Sequence, residues 1–350
     1  MTAFTRYLRY RLEQSALRTL VFTALAVILS QSVISDAIRY LDVEAVGYVD
    51  SGIYILAVVM GVVCTIIPIL ENMGFKNRRN LDTLYFFPIK REKMALTHFL
   101  GGFIQVAFIY TVTFAVASIY LIANTDFFNL YYLLPYYFLS LLLGFVIYSF
   151  FSFIFIQANT VADGSLMSLL WAFAPWVALY ALYALTRPLY FEEGNVASYG
   201  LALAYSCLTE WGIVYAPINN MTVIFQSLIE VNQSGWNEFT YAGIYLSQFY
   251  CFIIWGVVGI ACAIGYFVTF ARKGANKAGE ISDSFVGYRL LIPLYGYSLI
   301  YMIGSIEIVT VLVFVMMIIG YIVYRRTFRL KARDIIVTAL GIIPLIIGML

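Results

Sequence analysis

MALTHFLGGFIQVAFIYTVTFAVASIYLIANT, residues 94–125, lies between Lys93 and Asp126 and contains no Asp, Glu, Lys or Arg. A helix needs about 20 mostly apolar residues to cross the hydrocarbon of a bilayer, and this run exceeds that. Lipid cannot hydrogen-bond an open backbone, so such a segment crosses as a helix. An ionic side chain at the centre of a span costs roughly 2.5–3.5 kcal/mol, which makes the charged residues punctuation marks for the rest of the chain.

Read outward from this stretch, the charge-free intervals are 19–35, 51–70, 94–125, 127–162, 164–186, 239–271, 290–306, 308–324 and 335–350. One helix is expected in each. The aromatic start of 127–162, Phe127-Phe128-Asn129-Leu130-Tyr131-Tyr132, reads as an interfacial collar, so this long interval still holds one span. Gly304-Ser305-Ile306-Glu307 reads as the tight turn between the two 17-residue intervals.

The composition of the 350-residue chain agrees: 63% is hydrophobic and 11% charged, whereas soluble domains are about 45–50% apolar and about 25% charged. With the N-terminus inside, 19 of the 21 Lys and Arg residues fall in inside segments, and only Arg39 and Arg187 fall outside. The expected location is the cell membrane, multi-pass, with a cytoplasmic N-terminus. A cleaved signal peptide is the other reading of 19–35; its long basic leader and apolar run favour an uncleaved first span.

Between the spans lie four further features. In residues 1–18, Phe4, Leu8, Leu12 and Ala16 recur every four positions while Arg6, Arg9 and Glu13 point elsewhere, predicting an amphipathic helix along the inner membrane surface. In the inner loop 71–93, Asn80 can cap a short helix carrying Leu81, Leu84 and Tyr85 on one face, and Pro88 breaks it. The outer segment 187–238 holds two apolar stretches, 196–208 and 211–229, bounded by acidic residues. They form either one extra hairpin or re-entrant helices, and Glu210, with no basic neighbour, favours re-entry. Residues 272–289 read as a basic cytosolic linker. The last apolar run reaches Leu350 without a polar end, so the expectation is a chain that continues outside or a last segment packed on neighbours.

The sequence is poor in catalytic constellations. His98 has no second His near it, and no metal-ligand cluster or HExxH stands in the chain. It reads as an interfacial polar residue at the start of the third span. Cys64, Cys207, Cys251 and Cys262 show no paired spacing and read as small apolar fillers. Gly274 and Gly279 have P-loop separation, but Glu280 and Ile281 stand where Lys and Ser/Thr are required, so no nucleotide site is expected. No basic face with interleaved aromatics suggests nucleic acid. Within the spans, Gln105 and Gln248 are the notable amides, each able to bond a neighbouring helix. The chain is read as no enzyme and as lacking an energy input of its own.

Residues 71–102 carry a resemblance. Arg78-Arg79-Asn80-Leu81-Asp82-Thr83-Leu84-Tyr85, then Phe87-Pro88-Ile89-Lys90-Arg91-Glu92-Lys93 and Gly101-Gly102, resemble the inner loop of ABC-2 type permeases, the membrane subunits of ATP-binding-cassette exporters. Phe87 stands where Leu is usual and Phe86 where Ser is common. The linker after the sixth span resembles that of long Firmicute members, the acetoin-utilisation and antibiotic-stress permeases. The likeness covers roughly residues 1–290. It implies an all-α polytopic fold: an N-terminal interface helix, a six-span core over 19–271 with a cytosolic coupling helix and re-entrant outer helices, and about three further spans in 290–350. It implies a cytosolic ABC ATPase as partner, with ATP and Mg held there and no cofactor in this chain. A second permease chain and membrane lipid complete the partners. Carried over by position, Arg78, Arg79, Asp82, Tyr85, Phe86, Pro88, Lys90, Arg91 and Glu92 become the ATPase-coupling interface. The expected function is export of an amphipathic, lipidic or peptide substrate; the alternative is a non-transporting scaffold or sensor that recruits a cytosolic partner.

Overall fold

The computed structural model describes residues 3–41, 47–77, 89–124, 130–186, 230–231, 239–240, 246–273, 279–280, 282, 284–303, 307–325, 327–329 and 331–340. Its helices are α1 (Ala3–Leu41), α2 (Gly47–Asn72), α3 (Arg91–Asn124), α4 (Leu130–Gln157), α5 (Val161–Thr186), α6 (Leu246–Arg272), α7 (Leu290–Ile303), α8 (Glu307–Arg325) and α9 (Ala332–Leu340). A 3-10 turn, Met73–Lys76, extends α2, and a π-type turn, Phe285–Arg289, leads into α7. Two two-residue strands, β1 (Glu230–Val231) and β2 (Phe239–Thr240), pair antiparallel, with Glu230 opposite Thr240. Among the described residues, six helices are long and apolar enough to cross a membrane: Phe4–Asp36, Ile55–Lys76, Arg91–Asn124, Leu133–Gln157, Val161–Ala178 and Ile253–Arg272. The protein is a polytopic helical membrane protein.

Its helices divide into two compact units. The first holds Met1–Ile156 and Val214–Ala278; the second holds Gln157–Ile213 and Gly279–Leu350. This division does not follow the expected boundary between a core at 19–271 and a tail at 290–350, because α5 packs against α7. Three hydrogen bonds show why. The Trp171 indole donates to the carbonyl of Val286 at 2.7 Å, the Tyr288 hydroxyl donates to the Asp163 carboxylate at 3.1 Å, and the Tyr295 hydroxyl donates to the carbonyl of Leu170.

In the first unit, α1 packs on α3 and α2. Where the sequence reading separates an interface helix, 1–18, from a first span, 19–35, the structure has one uninterrupted helix of 39 residues. No Gly or Pro occurs before Gly47, so nothing in the backbone breaks it. At 1.5 Å per residue α1 is roughly 58 Å long, well beyond a hydrocarbon layer of about 30 Å. Its inward stripe is small and polar: Ser15, Thr19, Thr23, Ala26 and Ser30 are buried. Its outward stripe, Leu17, Val21, Leu25 and Ile28, is exposed and apolar. That inversion suits a helix whose outer solvent is lipid and whose inner face packs closely through small residues. The hydroxyls are satisfied locally, Thr19 donating to the Ser15 carbonyl at 2.9 Å and Thr23 to the Thr19 carbonyl at 2.7 Å.

In the second unit, α7 packs between α5 and α8, and α8 contacts α9. At Gly296 of α7 the Met317 side chain of α8 packs so close that an added Cβ would collide with it. Ile300, Val313 and Met317 form the buried core there. Arg325, at the end of α8, holds Asp334, in the first turn of α9, through Nη2 to Oδ1 at 2.7 Å and Nε near Oδ2 at 2.6 Å. At 14 residues, α7 is roughly 21 Å long, short of a full crossing. Residues 304–306 of the expected turn, the expected re-entrant stretches 196–208 and 211–229, and the terminal stretch 341–350 lie outside the described residues.

Candidate functional site

Six consecutive residues at the end of α2, Glu71 to Lys76, reach every other described helix of the first unit. Glu71 is 2% exposed, yet its carboxylate is fully engaged. Oε2 accepts from Arg11 Nη2 of α1 at 2.9 Å. Oε1 accepts from Arg18 Nη2 of α1 and from Gln105 Nε2 of α3 at 2.9 Å. Arg18 Nη2 also donates to Gln105 Oε1 at 2.8 Å, closing a three-helix ring of charge-assisted hydrogen bonds. One carboxylate between two guanidiniums leaves the cluster with an excess positive charge.

His98 lies two turns before Gln105 on α3, on the same network. The sequence reading places it at the interface; the structure encloses it between α1, α2 and the Phe75 ring, 2% exposed. Nδ1 lies 3.2 Å from the Glu71 carbonyl oxygen and 3.3 Å from Arg11 Nη2, and Nε2 lies 3.1 Å from the Tyr7 hydroxyl. Arg11 pairs across the helix boundary with His98, and Arg18 with Gln105. Both pairs have the same sequence offset of 87. Helices α1 and α3 therefore run parallel and in step, with partners seven residues apart on each.

The remaining hub residues face α4 and α6. Asn72 Nδ2 donates to the Pro68 carbonyl one turn back on α2 at 2.8 Å. Its Oδ1 accepts from the Tyr266 hydroxyl of α6 at 2.8 Å. Phe75 meets His98 and Phe270 of α6 edge to face, with ring centres 4.5 and 4.8 Å apart. Lys76 Nζ donates to the Ile156 carbonyl at the end of α4 at 3.1 Å, and Lys273 Nζ reaches the same carbonyl at 2.6 Å. Both amino groups thus meet on one carbonyl at the C-terminal end of α4. Beside the hub, Gly102 of α3 lets Tyr148 approach: a Cβ there would strike the Tyr148 hydroxyl and come within 3.0 Å of Glu71 Cγ.

The chain matches no known family model and no curated protein.

Of the expected coupling residues, Arg78, Arg79, Asp82, Tyr85, Phe86 and Pro88 lie outside the described residues. Lys90, Arg91 and Glu92 are exposed where α3 begins. Glu71, read from sequence as the first loop residue, is instead the centre of the cluster. Arg11 and Arg18, read as topogenic charge, are its cations. The available signal was spacing: Arg11 and Arg18, and His98 and Gln105, are each seven residues apart, so each pair shares one helix face. Among the described residues no three His, Cys, Asp or Glu side chains converge as a metal site would require. Cys64 and Cys262 are buried thiols without a disulfide.

Proposed function

We propose that this chain is the membrane-embedded permease subunit of an ABC-2 type exporter, worked by a separate cytosolic ATPase. The observation that carries the reading is the hub itself. Residues 71–76 bond to α1, α3, α4 and α6 and run directly into the charged 77–93 loop. A push on that loop would be felt by all five helices together, which is what a rigid-body switch between inward- and outward-facing arrangements needs. In this reading Arg78, Arg79, Asp82, Tyr85, Phe86, Pro88, Lys90, Arg91 and Glu92 face the ATPase. The N-terminus is cytoplasmic, two permease chains pair, and the cargo is amphipathic or lipidic.

The test is purification of the chain in detergent from its native host, identification of a co-eluting ABC-type ATPase, and measurement of ATP turnover. Arg91→Glu reverses a charge at the loop exit and Leu84→Pro breaks the coupling helix. Each is expected to detach the ATPase or to uncouple its turnover from this chain. Unchanged copurification and turnover in both variants would overturn the assignment.

A further inference from the structure

The second unit contains a cavity of about 540 Å³ bounded by α5, the 285–289 turn, α7 and α8. Small-molecule sites occupy about 300–1,000 Å³ and combine apolar walls with a few placed polar groups. This cavity has that composition. Leu166, Ile292, Ile319 and Val323 supply hydrocarbon, and Asp163 and Tyr288 supply the polar end. Among the described residues, the side-chain donor to the Asp163 carboxylate is the Tyr288 hydroxyl, at 3.1 Å to Oδ1. Among the described residues no Lys or Arg lines the cavity. The carboxylate stands in the first turn of α5. Its acceptor capacity exceeds one phenol, since an ionised carboxylate offers about four lone-pair sites.

We propose that this cavity binds a single-chain amphiphile with an ammonium head. The ammonium would donate to Asp163, and the hydrocarbon tail would lie along Leu166, Ile292, Ile319 and Val323. Charge decides the class: an anionic head would meet the carboxylate's repulsion, and a neutral alcohol would forgo the charge-assisted hydrogen bond. A phospholipid amine would bring its phosphate toward the same carboxylate, so the simple amine is the better complement. The site requires no transport and stands apart from the exporter reading; it can fail while that reading holds, and the reverse.

The experiment uses the full chain in phosphatidylcholine nanodiscs, with tritiated dodecylamine binding measured by scintillation proximity and empty discs subtracted. Dodecylamine is expected to bind saturably, with dodecanol and dodecyl sulfate competing at least tenfold less well. Asp163→Asn is expected to weaken the amine about tenfold and leave dodecanol unchanged. Gly320→Leu acts differently, by filling the space. A Cβ on Gly320 meets Ile292 at an ordinary 3.7 Å, so a longer side chain can grow into the cavity and should abolish binding of both ligands. Amine binding within twofold of wild type in both folded variants would overturn the proposal. So would equal affinity for dodecanol and dodecylamine, or displacement by phosphatidylethanolamine added to the disc.

Discussion

Two carboxylates near helix ends, one in each unit, have opposite surroundings. Glu71 is enclosed by Arg11, Arg18 and Gln105, and its bonds run only to its own protein. Asp163 is partly exposed, faces an apolar cavity and, among the described residues, takes a side-chain hydrogen bond from one phenol. The first is consumed in joining helices; the second retains capacity for something else. A charge in an apolar setting is therefore a structural or a binding feature according to how much of it is already answered by neighbours.

The sharpest way to break this contrast is Glu71→Ala. It leaves two partly buried guanidiniums without their anion, and breaking such a pair costs about 3–5 kcal/mol. The measurement is the unfolding midpoint in mixed micelles, with folded yield as a second readout; a wild-type midpoint would show that the carboxylate does not hold α1 to α2 and α3. Next in size is Gly102→Val. Its branched side chain must displace Tyr148 or Glu71, so an overpacking loss of about 1–3 kcal/mol is expected. If the midpoint holds, the close approach at Gly102 is not needed.

The second unit should respond less. Thr160 Oγ1 accepts from the Asp163 backbone amide at 3.1 Å, capping α5, and Thr160→Ala is expected to cost about 1 kcal/mol in the same titration. Asp163→Asn should change stability least, within about 0.5 kcal/mol, because the residue is partly exposed and an amide can still accept from Tyr288. A large loss there would erase the contrast and make Asp163 a second Glu71.

The crossing helices were legible because charges are excluded from hydrocarbon. Thus α3 and α5 fall close to the intervals 94–125 and 164–186. The continuity of α1 was legible too, in the absence of Gly and Pro, but the change from charged to apolar composition at Arg18 masked it. The hub was not legible. Glu71 meets Arg11 across 60 positions and Gln105 across 34, and hydropathy reports whether a residue can enter lipid, not which distant residue receives it. The pairing of α5 with α7 was hidden for the same reason: two of its three hydrogen bonds end on carbonyls of Val286 and Leu170 that any sequence supplies, and the third joins Tyr288 to Asp163 across 125 positions.

The matched seven-residue spacing on α1 and α3 works like the teeth of a ratchet with a single engaged position. Sliding α1 by two turns toward the C-terminal end of α3 would bring Arg11 to Gln105 but carry Arg18 on toward Thr111–Thr113, away from Glu71. Axial slippage between these helices is thereby penalised by a stranded cation. Whatever motion this membrane protein makes, α1, α2 and α3 must tilt or turn as one piece.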